Sequence, residues 1–341
     1  MSKDFSPLRW GILGCGSIAN RLGADVSKLS DHKIQAIASR DPEKAAKYAE
    51  KFGVHTQHTG PDAYTKLVND PEIDIVYVAT PHNFHREQVL LALNAGKHVL
   101  CEKPFTVNLK EAEELVAKAR EKGLFLMEGV WSRCFPVWGK VRELIAEGAI
   151  GHVRQVYSDF GYGAGSLDEN HQLIIGNPNG RLFSRELIGG GLMDVGVYPI
   201  NIAMMILGEP SVVKAFGQLG STGVDENVGV VLGFPNGSLA TCTTSIQVTT
   251  PFVTTIIGTK GKIEVPFWWR PKSLILTANG HTDTLEFLHE GEGFQFEAMH
   301  VAECLRAGKT ESDILPLDGT LAVMRVLDAV RTEIGLQYPG E

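Results

Sequence analysis

The sequence lacks most of the features that assign a chain to a special class. Its five cysteines, Cys15, Cys101, Cys134, Cys242 and Cys304, are odd in number, widely scattered and free of any C-x-x-C pair. That pattern excludes a disulfide framework or a cysteine zinc site and leaves them as small apolar residues. No Lys/Arg-rich run occurs, and 32 basic against 40 acidic residues give a formal net charge of −8. The electrostatic footprint of a nucleic-acid binder is therefore absent. No run approaches the roughly 18 consecutive apolar residues of a membrane span. The amino terminus mixes Lys3, Asp4, Pro7 and Arg9 before any apolar stretch, so it has no secretory h-region. A soluble, cytoplasmic chain is expected, with neither nucleic acid nor membrane as partner.

What is present is a core-building composition, 43% apolar and 21% charged over 341 residues, enough for more than one domain. Up to about residue 130, apolar strand patterns alternate with helical ones. Strands are expected at 9–13, 33–38, 73–79, 98–101 and 124–128, and helices at 17–29, 42–52, 61–68, 84–94 and 109–122. This alternation is the signature of a doubly wound parallel sheet. After a helix at 136–147 the pattern changes to β-branched segments between 152 and 276, joined by turns such as Pro235-Asn236-Gly237 and Thr259-Lys260-Gly261 that suit antiparallel hairpins. Two closing helices follow at 294–305 and 317–333. The expected fold is α/β, a Rossmann domain over 1–130 followed over 131–341 by an α+β domain on an open, mainly antiparallel sheet that binds substrate and dimerises.

The run Gly14-Cys15-Gly16-Ser17-Ile18-Ala19 fits G-x-G-x-x-A directly between the first strand and the first helix. Gly14 permits the tight turn, Gly16 lets a pyrophosphate approach the backbone, and Ala19 allows close helix packing. Where NAD-selective sites place a carboxylate after the second strand, this chain has Ser39-Arg40. A hydroxyl and a guanidinium suit the 2′-phosphate of NADP, which is expected over NAD, with the following Asp41 a partner of Arg40 or a weaker ribose ligand.

Two further signals carry chemistry. Glu102-Lys103-Pro104 lies just beyond the strand at 98–101, where open α/β sheets bind their ligands. Asp194 and Tyr198 follow the run Gly189-Gly190-Gly191 at helical spacing, which puts both on one face. A tyrosine is a poor base at neutral pH until a nearby cation stabilises its phenolate, a charge that Lys103 can supply. His82 and His85 invite a metal reading, but no third ligand is visible and no metal is expected. Trp268 and Trp269 form either a wall of the substrate site or simple packing.

With Ala79-Thr80-Pro81-His82, His85, Cys101-Glu102-Lys103-Pro104 and Glu128-Gly129-Val130-Trp131-Ser132-Arg133, these motifs resemble the Gfo/Idh/MocA oxidoreductases through nearly the whole chain. Within that family they look most like the dimeric dihydrodiol dehydrogenases and NADP-dependent D-xylose 1-dehydrogenases, because Tyr198 stands where many sugar dehydrogenases carry His. The resemblance implies Lys103 and Tyr198 at the reacting hydroxyl, supported by Asp194. It implies a cofactor site drawing on Gly14, Cys15, Gly16, Ser17, Ile18, Ala19, Ser39, Arg40, Thr80, Pro81, His82, His85, Glu102, Lys103, Trp131 and Arg133. Substrate, a sugar or a cyclic diol, would meet Lys103, Trp131, Phe160, Asp194, Tyr198 and Trp268. A homodimer through the open sheet face is also implied. Dehydrogenation of another aldose or an inositol, or NADPH sensing without turnover, are the rival readings.

Overall fold

The structure, a computed structural model, describes residues 5–170 and 172–341, so the charged opening Lys3 and Asp4 lies outside it. The first part of the chain runs β1 (Leu8–Leu13), α1 (Ser17–Val26), β2 (His32–Ser39), α2 (Pro42–Phe52), β3 (Thr56–Thr59), α3 (Ala63–Val68) and β4 (Ile75–Val78). It continues through a 3-10 turn at His82–Phe84 into α4 (His85–Asn94), β5 (His98–Glu102), α5 (Leu109–Lys122) and β6 (Leu126–Gly129). The six strands are parallel in the order β3-β2-β1-β4-β5-β6. Every residue of β4 and β6 is buried, which is why these segments read as unbroken runs rather than alternating ones. Local chemistry sets the helix ends. Asp41 accepts from the N–H groups of Glu43 and Lys44 ahead of Pro42, and Gly53 ends α2 in the left-handed conformation.

The second part begins with α6 (Pro136–Ala146) and β7 (Val153–Gly161). A π-helical turn at Leu192–Gly196 leads into α7 (Val197–Leu207), followed by β8 (Val212–Leu219), β9 (Asp225–Gly233), β10 (Leu239–Ser245), β11 (Val253–Gly258), β12 (Gly261–Pro266), β13 (Ser273–Ala278) and β14 (His281–Glu286). These strands form one sheet in the order β14-β13-β12-β11-β7-β10-β9-β8, antiparallel at every step except β7 with β10. One face carries Val156, Val228, Val230, Leu232, Ala240, Cys242, Ile256 and Ile263, all buried, and α7 packs on β7 and β10. The other face leaves Val212, Val231, Leu239 and Tyr157 exposed, with Phe216 at 83% exposure.

The chain ends with α8 (Phe294–Arg306) and α9 (Leu317–Ile334). By contact it divides into one compact unit of residues 1–134 with 290–321 and another of 135–289 with 322–341, whereas the sequence pattern pointed to a single division near 130. The returning segment joins the first unit because α8 packs on α1, and because buried Asp25 accepts from the N–H groups of Glu292, Gly293 and Phe294 at 2.9–3.2 Å. Those donors are the orphaned amides of the α8 N-terminus, satisfied here by a carboxylate from far earlier in the chain. The stretch Arg185–Leu207, a 3-10 turn followed after residues 188–190 by the π-helical turn and α7, is long and apolar enough to cross a membrane, by length and composition only. Its apolar window is 83% buried inside the protein, as in a core helix.

Candidate active site

The glycine loop sits where β1 hands over to α1. Gly14 has φ +97°, and a Cβ there would lie 2.9 Å from the Ala79 carbonyl oxygen, so a side chain is excluded on both counts. At Gly16 a Cβ would meet nothing within 4 Å. The first turn of α1 has no side-chain cap and no acidic residue, so its amides face that open space without a competing anion. These features fit the pyrophosphate of a dinucleotide. At the end of β2, Ser39 is buried and its hydroxyl accepts from the Asp41 N–H at 3.1 Å. Arg40 is exposed and lies 5.3 Å from the Phe84 ring centroid. Asp41 caps α2 through Oδ1, and its Oδ2 lies 3.5 Å from the Lys44 ammonium.

Past β4, His85 joins two segments, its ring nitrogens lying 3.0 Å from the Thr80 carbonyl and 2.9 Å from the Pro104 carbonyl. Burial pushes its pKa down against the pull of those carbonyls, which favours the neutral ring. His82, also buried, meets His85 edge to face at 5.7 Å. Glu102, expected to touch cofactor, is buried and turned inward. It accepts from the Tyr77 hydroxyl and from the Lys103 N–H, the latter at 3.2 Å, and thus braces the turn that presents Lys103. The Lys103-Pro104 peptide bond is cis. Trp131 is stacked on Phe294 at 4.3 Å, and Arg133, assigned to the cofactor from sequence, donates to the Ile314 carbonyl. The Glu128 carboxyl lies fully buried beside them, its Oε2 accepting from Thr320 at 3.0 Å and its pKa pushed up by burial to about 7.

In the second unit Asp194 lies in the π-helical turn and Tyr198 in the first turn of α7. Such turns recur at functional sites because they re-aim side chains. The glycine run explains how the turn is reached. Gly190 has φ +110°, and its Cβ would stand 2.1 Å from Asp225 Oδ1, so this carboxylate can approach only a glycine. Asp225 Oδ2 then accepts from the Leu192 N–H at 2.6 Å. Burial pushes the Asp225 pKa up to about 7. An acid whose folded pKa lies above its unfolded value binds more protons when folded, so its contribution declines as pH rises from about 4 to 7 and is constant above. Asp225→Asn, which keeps an acceptor for Leu192, should therefore gain melting temperature relative to the parent across that interval. A pH-independent difference would refute this.

Asp194 is buried and accepts from Arg181 at 2.7 and 3.3 Å and from the Tyr162 hydroxyl at 3.0 Å. Tyr198 is 5.6 Å from Phe160, which in turn stacks on Trp269 at 5.7 Å and meets Phe252 edge-on at 5.6 Å. Trp268, expected to meet substrate, is fully buried, and its indole N–H donates to the Asp159 carbonyl at 2.8 Å. On the turn after β12 it meets Phe160 edge-on at 5.7 Å, while the half-buried Trp269 stacks on the same ring. Arg181, Tyr162, Phe252, Asp225 and Phe294 were not foreseen. Of these only Tyr162 stood near a named residue, two positions after Phe160.

Residues 8–130 match the family model described as an oxidoreductase family with an NAD-binding Rossmann fold, and residues 138–264 match the GFO/IDH/MocA C-terminal domain. The trans-1,2-dihydrobenzene-1,2-diol dehydrogenase of Mus musculus is 37% identical over 344 residues, spanning 97% of this chain and 98% of the relative. Aldose-aldose oxidoreductase from Caulobacter crescentus, solved with glycerol, superposes with a TM-score of 0.85 at 28% identity, over 96% of this chain and 97% of that one. KijD10, a 3-ketoreductase from Actinomadura kijaniata solved with NADP and TDP-benzene, does so with a TM-score of 0.83 at 27% identity, over 96% and 98%. On this evidence the chain belongs to the Gfo/Idh/MocA oxidoreductase family.

Proposed function

We propose that the protein is an NADP-dependent dehydrogenase that oxidises a secondary CH–OH group of a cyclic trans-diol or the C1 hemiacetal hydroxyl of an aldose. The observation that carries this reading is the Asp194/Tyr198 pair beside the Phe160–Trp269 wall, in a chain 37% identical to a dihydrodiol dehydrogenase over nearly its full length. When bound, the nicotinamide supplies the hydride acceptor. Tyr198 as phenolate takes the O–H proton while the C–H bond yields its electron pair and the carbonyl forms. The aromatic wall presents flat faces that suit a planar ring or the C–H face of a sugar. Ser39 and Arg40 receive the 2′-phosphate, a reading strengthened by the diversion of Asp41 to its helix.

Initial rates with NADP and NAD across D-xylose, D-glucose, L-arabinose and a trans-dihydrodiol test the proposal. NADP reduction with the diol or one of the aldoses supports it. Tight NADPH binding with no turnover on the whole panel replaces it with a sensor. Similarity to the Caulobacter oxidoreductase favours the aldose arm. The five free cysteines suit a reducing, cytoplasmic compartment.

We also propose a homodimer through the open sheet face, where Val212, Phe216, Val231, Leu239 and Tyr157 expose apolar surface on adjacent strands β8, β9, β10 and β7. Contiguous exposed apolar area of this kind marks an interface. Phe216→Glu should convert a dimer to monomer in sedimentation velocity without lowering the melting temperature below that expected of a separated subunit. A parent that sediments as a monomer would end the proposal.

A further inference from the structure

Resting on the reading above, Tyr198 must ionise, and buried Asp194, four positions earlier, opposes a second negative charge there. Tyr162 displays the sign of the effect. Its hydroxyl donates to Asp194, and its pKa is pushed up by burial first and by the Asp194 charge second. We infer that Arg181 is the positioning and charge-balancing residue of this site, locking Asp194 in a two-point ion pair so that Tyr198 faces a neutral pair rather than a bare carboxylate.

The geometry is that of a fork. Nη1 lies 2.7 Å from Oδ1 and Nη2 3.3 Å from Oδ2, an arrangement that fixes the carboxylate plane as a lysine could not. Backbone bonds deliver the guanidinium. The Leu182 carbonyl accepts from the Gly190 N–H at 2.8 Å, and the Ser184 carbonyl from the Gly189 N–H at 2.9 Å. A Cβ at Gly189 would stand 2.6 Å from the Leu182 oxygen, so the glycine run is what allows the Arg181 segment to lie against the start of the π-helical turn. The Asp194 side chain is 7% exposed and that of Arg181 48%, so the anion is the buried member and the one that needs its partner.

The other ionisable groups on the elements packed here have partners of their own. Asp159 of β7 accepts from the Phe252 and Val253 N–H groups, Asp225 of β9 from Leu192, and Glu226 of β9 from the Gln247 side chain. Cys242 of β10 lies on the Pro199 carbonyl. Burial lowers the pKa of Arg181, but Asp194 and, more weakly, Tyr162 and Tyr198 raise it to a net increase. Coulomb attraction is reciprocal, so the same guanidinium favours the Tyr198 phenolate.

The test is a tyrosinate absorbance titration that needs no turnover. The parent minus Tyr198→Phe difference isolates Tyr198. The same difference is then taken in an Arg181→Gln background and in an Arg181→Gln/Asp194→Asn background. The step should move up by about one unit or more in Arg181→Gln, a tenfold weaker ionisation, and return close to the parent value in the double variant, where neither charge remains. Every other ionisable residue is intact throughout, so contributions from outside the Arg181–Asp194 pair cancel. If the substrate panel yields turnover, the limb of kcat/KM that rises with pH should move with the titration, and added guanidinium should restore part of the rate of Arg181→Ala. An unmoved titration in Arg181→Gln, or a double variant that stays displaced, overturns the inference. A parent that titrates as described but reduces no NADP overturns only the proposed function. Where Arg181→Gln does not fold, Asp194→Asn alone decides: with the guanidinium kept and the carboxylate neutral, the Tyr198 step should fall below the parent value, and an unmoved step overturns the inference.

Discussion

Tyr198→Phe is expected to lower kcat by about 10²–10⁴-fold while leaving the melting temperature and NADPH affinity close to those of the parent, because a positioned general base contributes about that much. The substitution removes one oxygen and keeps the ring that packs 5.6 Å from Phe160, so the aromatic wall is undisturbed. Tyr198 is almost entirely buried, and its helix is shaped upstream by Asp225 and the glycine run rather than by its own hydroxyl. A loss confined to KM would assign Tyr198 to binding, and an unchanged kcat would remove it from the chemistry altogether. Steady-state kinetics with a thermal melt and an NADPH fluorescence titration separate these outcomes.

The second large effect is on the cofactor. Arg40→Ala is expected to weaken NADPH binding by about 10–100-fold, the range of a charge-assisted hydrogen bond worth about 1.5–3 kcal/mol, and to leave NADH almost unaffected. The contrast between the two cofactors is the informative quantity, since a general disturbance of the β2–α2 turn would weaken both. That turn has its own support in Asp41, which caps α2 at 3.0 and 3.2 Å, so the variant should retain its fold. Equal losses for NADPH and NADH, measured by calorimetry, would show that Arg40 does not read the 2′-phosphate.

Legibility followed sequence distance. The β1–α1 loop could be read directly, because its strand, its glycines and its helix lie within twenty residues and each obeys a local rule. The same was true of the hairpin turns at Pro235-Asn236-Gly237 and Thr259-Lys260-Gly261, which join β9 to β10 and β11 to β12 in antiparallel register. Strands β3 (Thr56–Thr59) and β14 (His281–Glu286) escaped notice, and both are sheet edges. Edge strands are partly solvated and carry polar residues, so no apolar run announces them. Asp25 capping α8 and Arg133 on the Ile314 carbonyl join residues 268 and 181 positions apart, beyond any periodicity argument. A motif gives position and only packing gives direction: the Glu102 carboxylate accepts from Tyr77, and the Trp268 indole donates to the Asp159 carbonyl while its ring meets Phe160.

The late arrival of Glu290–Leu321 in the first unit has a consequence for synthesis. While the ribosome is still extending the second unit, the nascent Rossmann sheet carries Asp25 without its amide donors, Trp131 without Phe294 and Glu128 without Thr320. The dinucleotide domain of this chain therefore cannot mature domain by domain from its amino end, as multidomain chains commonly do. It must wait, partly assembled, for some 150 residues of foreign sheet to emerge before its last helix arrives. A fragment ending at Cys134 should accordingly be captured by chaperones or aggregate, whereas a chain rearranged to carry α8 and its flanking segment, residues 290–321, ahead of β1 should release that domain from the wait.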